Sequence, residues 1–410
     1  MRQRFIQSFS TSGTEQEALY ANELGKPYVC FIEDGLYIDW NTLSPVIPYE
    51  EQPLTFEILS AGTIEWTASS SLTKTIQYSL NGGDWTSITS TTAGTPINVV
   101  EGDKVQFRGY NSTYADQNRW NCFLGSAYFN AYGNIMSLID GDNYAELTAF
   151  TSANAYAFHR LFSNTVEVYP TIVGSAANVI DASNLILPAT TLAPFCYYGM
   201  FQDTTLEVAP VLPATTLTEN CYRAMFCRAK KITSGPELPA TTLAEKCYNN
   251  MFYECTSLTT APELPATNLA AGCYSQMFYS CTSLTKAPSE LPATTIPATP
   301  TTGSVYGCYF KMFQGCTSLT TAPDILAASF PNPGTSTYRG CCTNMFSGCT
   351  SLNYIKCLAT GSPQVPPYAT YNWVAGVPAG GIFVRKAGAR WSSLGNDGIP
   401  AGWTVIDADI

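Results

Sequence analysis

The chain has few charged side chains, one histidine and no long apolar run. Of its 410 residues, 20 are basic and 31 are acidic, which gives a net charge of -11. Nucleic acids and anionic membranes require clustered Lys and Arg, so no nucleic-acid partner is predicted. Because no stretch of about eighteen apolar residues occurs, no membrane insertion is predicted either. The positive charges near Met1 have no apolar run behind them, so we expect no secretory signal.

Residue sets that carry catalysis are also scarce. His159 has no partner at metal-ligand spacing and no Cys-x-x-Cys pair occurs, so neither a metal nor another cofactor is predicted. No nucleophile, base and acid set and no phosphate-binding glycine loop is found. Two acidic pairs, Glu33 with Asp34 and Asp140 with Asp142, leave a glycan-degrading enzyme as one alternative. Adjacent acids usually serve turns, so we expect a protein that is not an enzyme.

Repetition is the feature that the sequence has in abundance. Between about residues 185 and 358, the segments Leu-Pro-Ala-Thr-Thr-Leu, Cys-Tyr, Met-Phe and Cys-Thr-Ser-Leu-Thr recur in the same order. The Met-Phe pairs begin at Met200, Met225, Met251, Met277, Met312 and Met345. A period in the mid-twenties is typical of a solenoid, in which short units bury their apolar faces only by stacking. We therefore expect function on a surface, not in a catalytic cleft.

One unit, from Leu238 to Pro262, illustrates the predicted structure. Thr242 and Glu245 match a capping box, and the apolar positions from 243 to 255 predict a helix of about three turns. The β-branched run that follows predicts a short strand with Leu258 pointing inward. The predicted fold is an α/β solenoid, leucine-rich-repeat-like, with parallel strands on one side and short helices on the other.

Ten of the fifteen cysteines form two ladders, one four residues before the Met-Phe pairs and one three residues after them. On one helix, Cys247 and Cys255 would lie about 12 Å apart, too far for a disulfide. The first ladder is predicted to hold small apolar core residues. In the second ladder, bridges between neighbouring repeats are geometrically conceivable, but we expect reduced thiols.

The repeat cadence resembles that of the BspA-like leucine-rich-repeat surface proteins, whose units carry an aromatic residue before an x-x-Cys-x-Ser-Leu segment. The matching segments are Phe252–Leu258, Phe278–Leu284, Phe313–Leu319 and Phe346–Leu352. The sequence departs from this pattern at Thr204 and Ala229, which replace the second cysteine. Insertions at residues 297–303 and 331–334 lengthen two loops, which are either binding elements or tolerated surface insertions. The resemblance implies a surface protein that binds through its repeats.

Residues 51–130 form a separate module in the sequence. Six short alternating runs between Leu54 and Arg108, with the turn signal Asn81–Asp84, predict an all-β immunoglobulin-like sandwich that serves as a spacer. Its tryptophans, among them Trp66, Trp85 and Trp120, are expected in the core, with stacking on sugars as the alternative.

The two ends complete the predicted domain organisation. Residues 1–50 are an N-terminal α+β attachment segment, with a helix at Thr14–Leu24 and a hairpin at Tyr28–Trp40. This segment resembles N-terminal segments of structural proteins in phages of gut Bacteroides-type bacteria. Residues 131–360 are the solenoid, whose degenerate first unit contains His159, expected to be partly buried in a helix. Residues 361–410 are predicted to form a C-terminal β cap.

These features together predict a phage virion structural protein, a tail-fibre or receptor-binding component with the repeats as a non-catalytic adhesion surface. Its partners would be a bacterial surface glycan or protein receptor and, through the N-terminal segment, other virion proteins. A homo-oligomer is compatible with these features. The alternative is a BspA-like adhesin on the bacterial cell surface.

The predicted binding residues are hydroxyl-bearing side chains at outward strand positions, with two tyrosines on the helix side as a second choice. They are Ser257, Thr259, Ser283, Thr285, Ser318 and Thr320, followed by Tyr253 and Tyr279. Rows of hydroxyls suit glycans or peptide edges, although a solvated sheet face would have the same sequence.

Overall fold

The computed structural model describes residues 6–11, 14–21, 28–31, 37–39, 44–168, 171–298, 306–331, 340–360, 369–391 and 395–408. The helices among these residues are short 3₁₀ helices, at Tyr49–Glu51, Ile135–Leu138, Tyr144–Glu146 and Ser152–Asn154. In this part of the chain, no helix has the length and apolarity needed to cross a membrane. The regular structure is therefore almost entirely β.

The N-terminal strands form an antiparallel sheet in chain order. They are β1 (Ile6–Thr11), β2 (Thr14–Ala21), β3 (Tyr28–Phe31), β4 (Tyr37–Asp39) and β5 (Ser44–Val46). The helix predicted from Thr14 is wrong, because β2 pairs with β1 on one side and β3 on the other. Such partners override local helix propensity. The pairing of β3 with β4 confirms the predicted hairpin, whose turn lies outside the described residues.

Two further sheets form the module that follows. Their strands are β6 (Leu54–Ile58), β7 (Gly62–Ala68), β8 (Thr75–Leu80), β9 (Thr86–Thr89), β10 (Thr95–Val99), β11 (Lys104–Arg108), β12 (Asn121–Leu124) and β13 (Tyr128–Asn134). The strands predicted between Leu54 and Arg108 are confirmed to within two residues. The β8–β9 turn is confirmed too, since Asn81 and Gly82 both have positive φ, as a type I′ turn requires. Trp66 is fully buried and Trp120 nearly so.

The immunoglobulin-like topology is wrong for this module. One sheet has the order β10-β7-β12, and in the other β6 lies between β13 and β11, whereas the first strand of an immunoglobulin domain lies near an edge. The second sheet is also mixed, because β16 (Asn178–Val179) and β17 (Leu185–Ile186) pair with β13 in parallel. The module therefore shares a sheet with the chain that follows residue 130.

The predicted α/β solenoid is wrong, because the Met-Phe segments form consecutive turns and no α-helix occurs among the described residues. We call each such segment a turn ribbon. The Met-Phe ribbons span residues 194–203, 219–228, 245–254, 271–280, 308–315 and 341–348, and residues 155–162 and 369–376 form ribbons of the same kind without a Met-Phe pair. Along a ribbon, alternate N–H groups donate three residues back, as from Met251 to Tyr248 at 3.2 Å. The others donate to the next unit, as from Phe252 to Met277 at 2.9 Å.

A four-residue period distinguishes the ribbon from a helix. Lys246, Asn250 and Glu254 have φ between 53° and 58°, and the same left-handed conformation recurs every fourth residue in the neighbouring ribbons. In an α-helix, a four-residue step overshoots one turn by roughly 40°, so the buried stripe would drift around the axis. In the ribbon the stripe stays on one side, and half of the N–H groups remain available to the neighbouring unit.

Single parallel bridges replace most of the predicted strands. Thr260 bridges Ser234 on one side and Lys286 on the other. The prolines that follow, Pro262 and Pro265, have no N–H to donate, so the ladder cannot lengthen there. Leu258 is fully buried, as predicted.

Longer parallel pairing appears toward the C-terminus. The strands are β18 (Glu290–Leu291), β19 (Asp324–Ile325), β20 (Tyr354–Cys357), β21 (Ile382–Lys386) and β22 (Thr404–Ala408), which form one five-stranded sheet in chain order. A short antiparallel pair, β14 (Val166–Val168) with β15 (Thr171–Val173), lies beside the first ribbon. The strands predicted near residues 381 and 402 are confirmed, and they extend a sheet that begins within the repeats.

Aromatic ladders fill the interior between the ribbons and the bridges. The Phe226 and Phe252 rings stack at 5.5 Å between centroids, and Phe252 and Phe278 stack at 5.6 Å. A second ladder of tyrosines runs beside them, with Tyr222 and Tyr248 at 5.9 Å. The first cysteine ladder and the methionines beside it are at most 1% exposed, which confirms that they are core residues.

Candidate binding site

The predicted threonine row lies on the surface, but two of its hydroxyls, those of Thr259 and Thr285, already have partners. The Thr259 hydroxyl donates to the Thr233 carbonyl at 3.1 Å, and the Thr285 hydroxyl donates to the Thr259 carbonyl at 3.2 Å. Thr320 is exposed as well. These hydroxyls add hydrogen bonds between neighbouring units, so the row has a structural role.

The other predicted residues are half-buried. Ser257, Ser283 and Ser318 lie in turns rather than strands. The Tyr253 and Tyr279 rings stack 4.7 Å apart and nearly parallel, so each covers one face of the other. The structure thus brings the tyrosines together, but as a packed pair.

A groove that the sequence did not indicate runs along the outer side of the turn ribbons. It consists of two adjoining cavities of about 260 and 160 Å³, which share Arg223 and Asn250. We call it the ribbon groove. The larger cavity is also lined by Arg160, Tyr198, Gln202, Ala224 and Cys227, and the smaller by Lys246, Asn249, Gly272, Ser275, Gln276 and Tyr306. Among the described residues, no carboxylate lines either cavity.

Several buried polar atoms of this groove have no hydrogen-bond partner among the described residues. They are Nε and Nη1 of Arg160, Nε of Arg223, Oδ1 of Asn250 and Oγ of Ser275. A buried polar atom left unpaired costs about 1–3 kcal/mol, and most proteins avoid it. Four such residues along one groove therefore mark it as a place where a polar ligand would gain hydrogen bonds.

Aromatic and basic side chains alternate at the wider end of the groove. The guanidinium carbon of Arg160 lies 4.7 Å from the Trp120 ring and 5.7 Å from the Tyr198 ring. The guanidinium carbon of Arg223 lies 5.2 Å from the same Tyr198 ring. His159 stacks on Tyr198 at 4.6 Å, and burial, with Arg160 nearby, lowers the pKa of His159 to about 3. The histidine is therefore neutral at pH 7, and the positive charge comes from the arginines.

A larger cavity lies elsewhere among the described residues, beside β6 and β13. It has a volume of about 540 Å³, and Tyr49 and Tyr132 meet edge to face at its wall, 5.3 Å apart. None of its lining side chains contains an unpartnered buried polar atom. By that criterion, the ribbon groove is the better candidate.

The acidic pair Asp140 and Asp142 has structural partners. Asp140 accepts from the backbone N–H groups of Asp142 and Asn143, which lower its pKa, whereas a general acid needs a raised one. Asp142 accepts from the Tyr110 hydroxyl at 3.0 Å and lies 3.6 Å from Arg108. Glu33 and Asp34 lie outside the described residues, as do most of the two predicted binding loops, 297–303 and 331–334. Within the described residues, no three His, Cys, Asp or Glu side chains could hold a metal ion.

His159 is more deeply buried than predicted, and it lies in a turn ribbon instead of a helix. Arg160 and Arg223 were missed because their proximity depends on how the ribbons stack. A local signal did exist for the ribbons themselves: Asn and Gly recur four residues apart, as in Asn344 with Gly348 and Asn372 with Gly376, and these residues favour positive φ.

Comparison with protein-family models, curated proteins and solved structures finds no match to this chain. The resemblance of the repeats to BspA-like proteins stays a prediction.

Proposed function

We propose that the chain is a structural protein of a phage virion, a tail-fibre or receptor-binding component, whose stacked repeats form a non-catalytic adhesion surface for a bacterial cell-surface receptor. The observation that carries the adhesive role is the row of unpartnered polar atoms along the ribbon groove. A glycan or a polar protein segment would supply hydrogen bonds to this row. The virion setting rests on the resemblance of residues 1–50 to phage structural proteins, and this segment would attach the chain to other virion proteins.

Rigidity supports an adhesive role. The ribbons that form the groove are bonded to their neighbours at every second N–H and are backed by stacked rings. A surface held in this way loses little conformational entropy on binding, so more of the contact energy appears as affinity. The groove also extends over several units, which suits an extended polymer better than a small substrate.

The test is binding of the full chain to a panel of Bacteroides-type cells, with two bulky variants. Gln276→Trp places a large ring in the smaller cavity of the groove, and Thr285→Trp places the same ring on the threonine row. We expect Gln276→Trp to weaken cell binding at least tenfold and Thr285→Trp to leave it nearly unchanged. Circular dichroism would verify that both variants fold.

If Thr285→Trp weakened cell binding and Gln276→Trp did not, the binding surface would be the threonine row instead of the groove. Absence of binding by the unmodified chain to every strain tested would contradict the adhesive role. Mass spectrometry of purified virions separates the phage protein from its alternative, a BspA-like adhesin on a bacterial surface. Release of new reducing ends from host capsule would instead indicate a glycan-degrading enzyme.

A further inference from the structure

We propose that the Arg160 end of the ribbon groove binds the oxyanion of an acidic sugar, a carboxylate or sulfate carried on a polysaccharide. This inference rests on the proposed adhesive role and specifies the class of receptor. It starts from the larger cavity, where the guanidinium groups of Arg160 and Arg223 both lie near the Tyr198 ring and no acidic side chain among the described residues lines the wall.

Arg160 is 9% exposed, yet its Nε and Nη1 have no hydrogen-bond partner among the described residues. A buried guanidinium stays charged at any ordinary pH and normally requires an anion or several acceptors. Stacking on Trp120 covers its face but leaves the in-plane N–H groups without acceptors.

Arg228, in the same region, has the carboxylate partner that is typical of a structural arginine. It is 3% exposed and binds Asp203 of the preceding unit through two contacts of 2.7 Å each. Among the described residues, the hydrogen bond of the Arg223 guanidinium is a long one, 3.3 Å, to the Asn220 amide oxygen. In this part of the chain, Arg160 and Arg223 thus lack a carboxylate partner such as Arg228 has, and an incoming oxyanion would provide it.

Charge and lining determine the ligand class. The chain carries a net charge of -11, so long-range electrostatic attraction does not favour an acidic polymer. Recognition must therefore be local. The arginines would bind one oxyanion of the sugar, and amide side chains would bind its neighbouring hydroxyls. Gln202 and Asn250 line the same cavity, and Ser275 and Gln276 continue the polar lining into the next one. A sugar that bears one acidic group and several hydroxyls fits this arrangement.

The test measures binding of the full chain to soluble polymers by biolayer interferometry at fixed salt concentration. Polygalacturonate supplies carboxylates, dextran sulfate supplies sulfates, and dextran is the neutral reference. We expect one acidic polymer to bind at least tenfold more tightly than dextran. Arg223→Gln should weaken that binding roughly tenfold, since a charge-assisted hydrogen bond is lost. The matched control is Lys286→Gln, which removes the same charge from the exposed side chain beside the threonine row.

Arg223→Lys, which keeps the charge but not the bidentate geometry, replaces Arg223→Gln if the latter does not fold, and an intermediate loss is expected. Equal losses in Arg223→Gln and Lys286→Gln would show non-specific attraction and overturn the proposal. Equal affinity of the unmodified chain for dextran, or no binding to either acidic polymer, would also overturn it. Tighter, Arg223-dependent binding of a phosphopeptide would assign the site to a protein instead.

Cell binding separates this proposal from the adhesive role. Cell binding that Arg223→Gln leaves intact, together with lost discrimination between polymers, contradicts the anion site and preserves adhesion. Arg223-dependent polymer binding without any cell binding supports the anion site and contradicts adhesion.

Discussion

The thiol of Cys281 donates to the carbonyl oxygen of Phe252, in the preceding unit, at 3.0 Å. Cys255 and Cys316 likewise donate to the carbonyl oxygens of Phe226 and Phe278, each in the preceding unit, at 3.0 Å. Thr204, which replaces the cysteine in an earlier unit, donates at 2.7 Å to the carbonyl of Phe201, within its own unit. Ala229, which has no side-chain donor, is buried at the same position, so the shared requirement is a small buried side chain, and the repeated cysteine reflects packing more than redox chemistry.

This burial predicts a loss of stability in alkali. Burial raises the pKa of Cys221 and Cys273 from the ordinary 9.0 to about 12. Between pH 9 and 12, unfolded chains lose these protons while folded chains keep them, so stability that is fully present below pH 9 falls as the pH rises. Each thiol contributes about 1.4 kcal/mol per pH unit. Urea unfolding under reducing conditions from pH 7 to 11 measures the slope.

The double variant Cys221→Ala, Cys273→Ala is the control for this prediction. Its stability should fall less steeply above pH 9, because two of the ionising groups are absent. A midpoint that stays constant from pH 7 to 11 in the unmodified chain would contradict the argument.

At the scale of the element, the turn ribbon explains why local patterns misled. Leu243, Cys247, Met251 and Cys255 are all buried, at a spacing of four that a three-turn helix also tolerates. The difference lies at the residue just before each of these cysteines and methionines, namely Lys246, Asn250 and Glu254, which adopt positive φ. In later units, Gly315 and Gly348 occupy the position that Ser280 occupies with φ 54°.

Substitution of Ser280 by glycine distinguishes the ribbon from an α-helix by the sign of the change in the free energy of unfolding. In the ribbon, Ser280→Gly should hold or raise the free energy of unfolding by up to about 1 kcal/mol, because the left-handed conformation costs a non-glycine residue about that much. In a helix, the same change would cost about 0.5–1 kcal/mol. Chemical denaturation measures the difference.

Thr282→Gly is the matched control, since Thr282 is exposed and is not among the positive-φ residues. It should lower stability by about 0.5–1 kcal/mol through backbone entropy. If Ser280→Gly proves as harmful as Thr282→Gly, the ribbon conformation at residue 280 is wrong.

At the scale of the whole molecule, one hydrophobic core extends from Leu54 to Trp403. Phe56 stacks on Phe129 at 4.2 Å and lies 5.9 Å from Phe162, the first ring of the phenylalanine ladder. β13 pairs with β6 on one side and with the short strands of the repeats on the other. The repeats are thus closed at this end by the β module.

This continuity predicts that a fragment of residues 131–410 is unstable. A cut at 131 divides β13 and exposes Phe162, and exposing one such side chain costs about 1.5–3 kcal/mol. We expect this fragment to melt at lower temperature and to bind a hydrophobic dye, whereas residues 47–410 should melt as the full chain does. Equal melting temperatures for all three would show that the repeats fold independently.

Local sequence patterns suffice to predict which side chains are buried and where the β-module strands lie. Leu258, the cysteine rows and the strands between Leu54 and Arg108 follow from local patterning, because a side chain's preference for the interior depends little on the path of the backbone. Tertiary structure decided that path. The ribbon persists because neighbouring units accept half of its N–H groups, and these bonds do not exist within one unit. The groove is likewise a product of stacking, which places Arg160 and Arg223, from different units, around Tyr198.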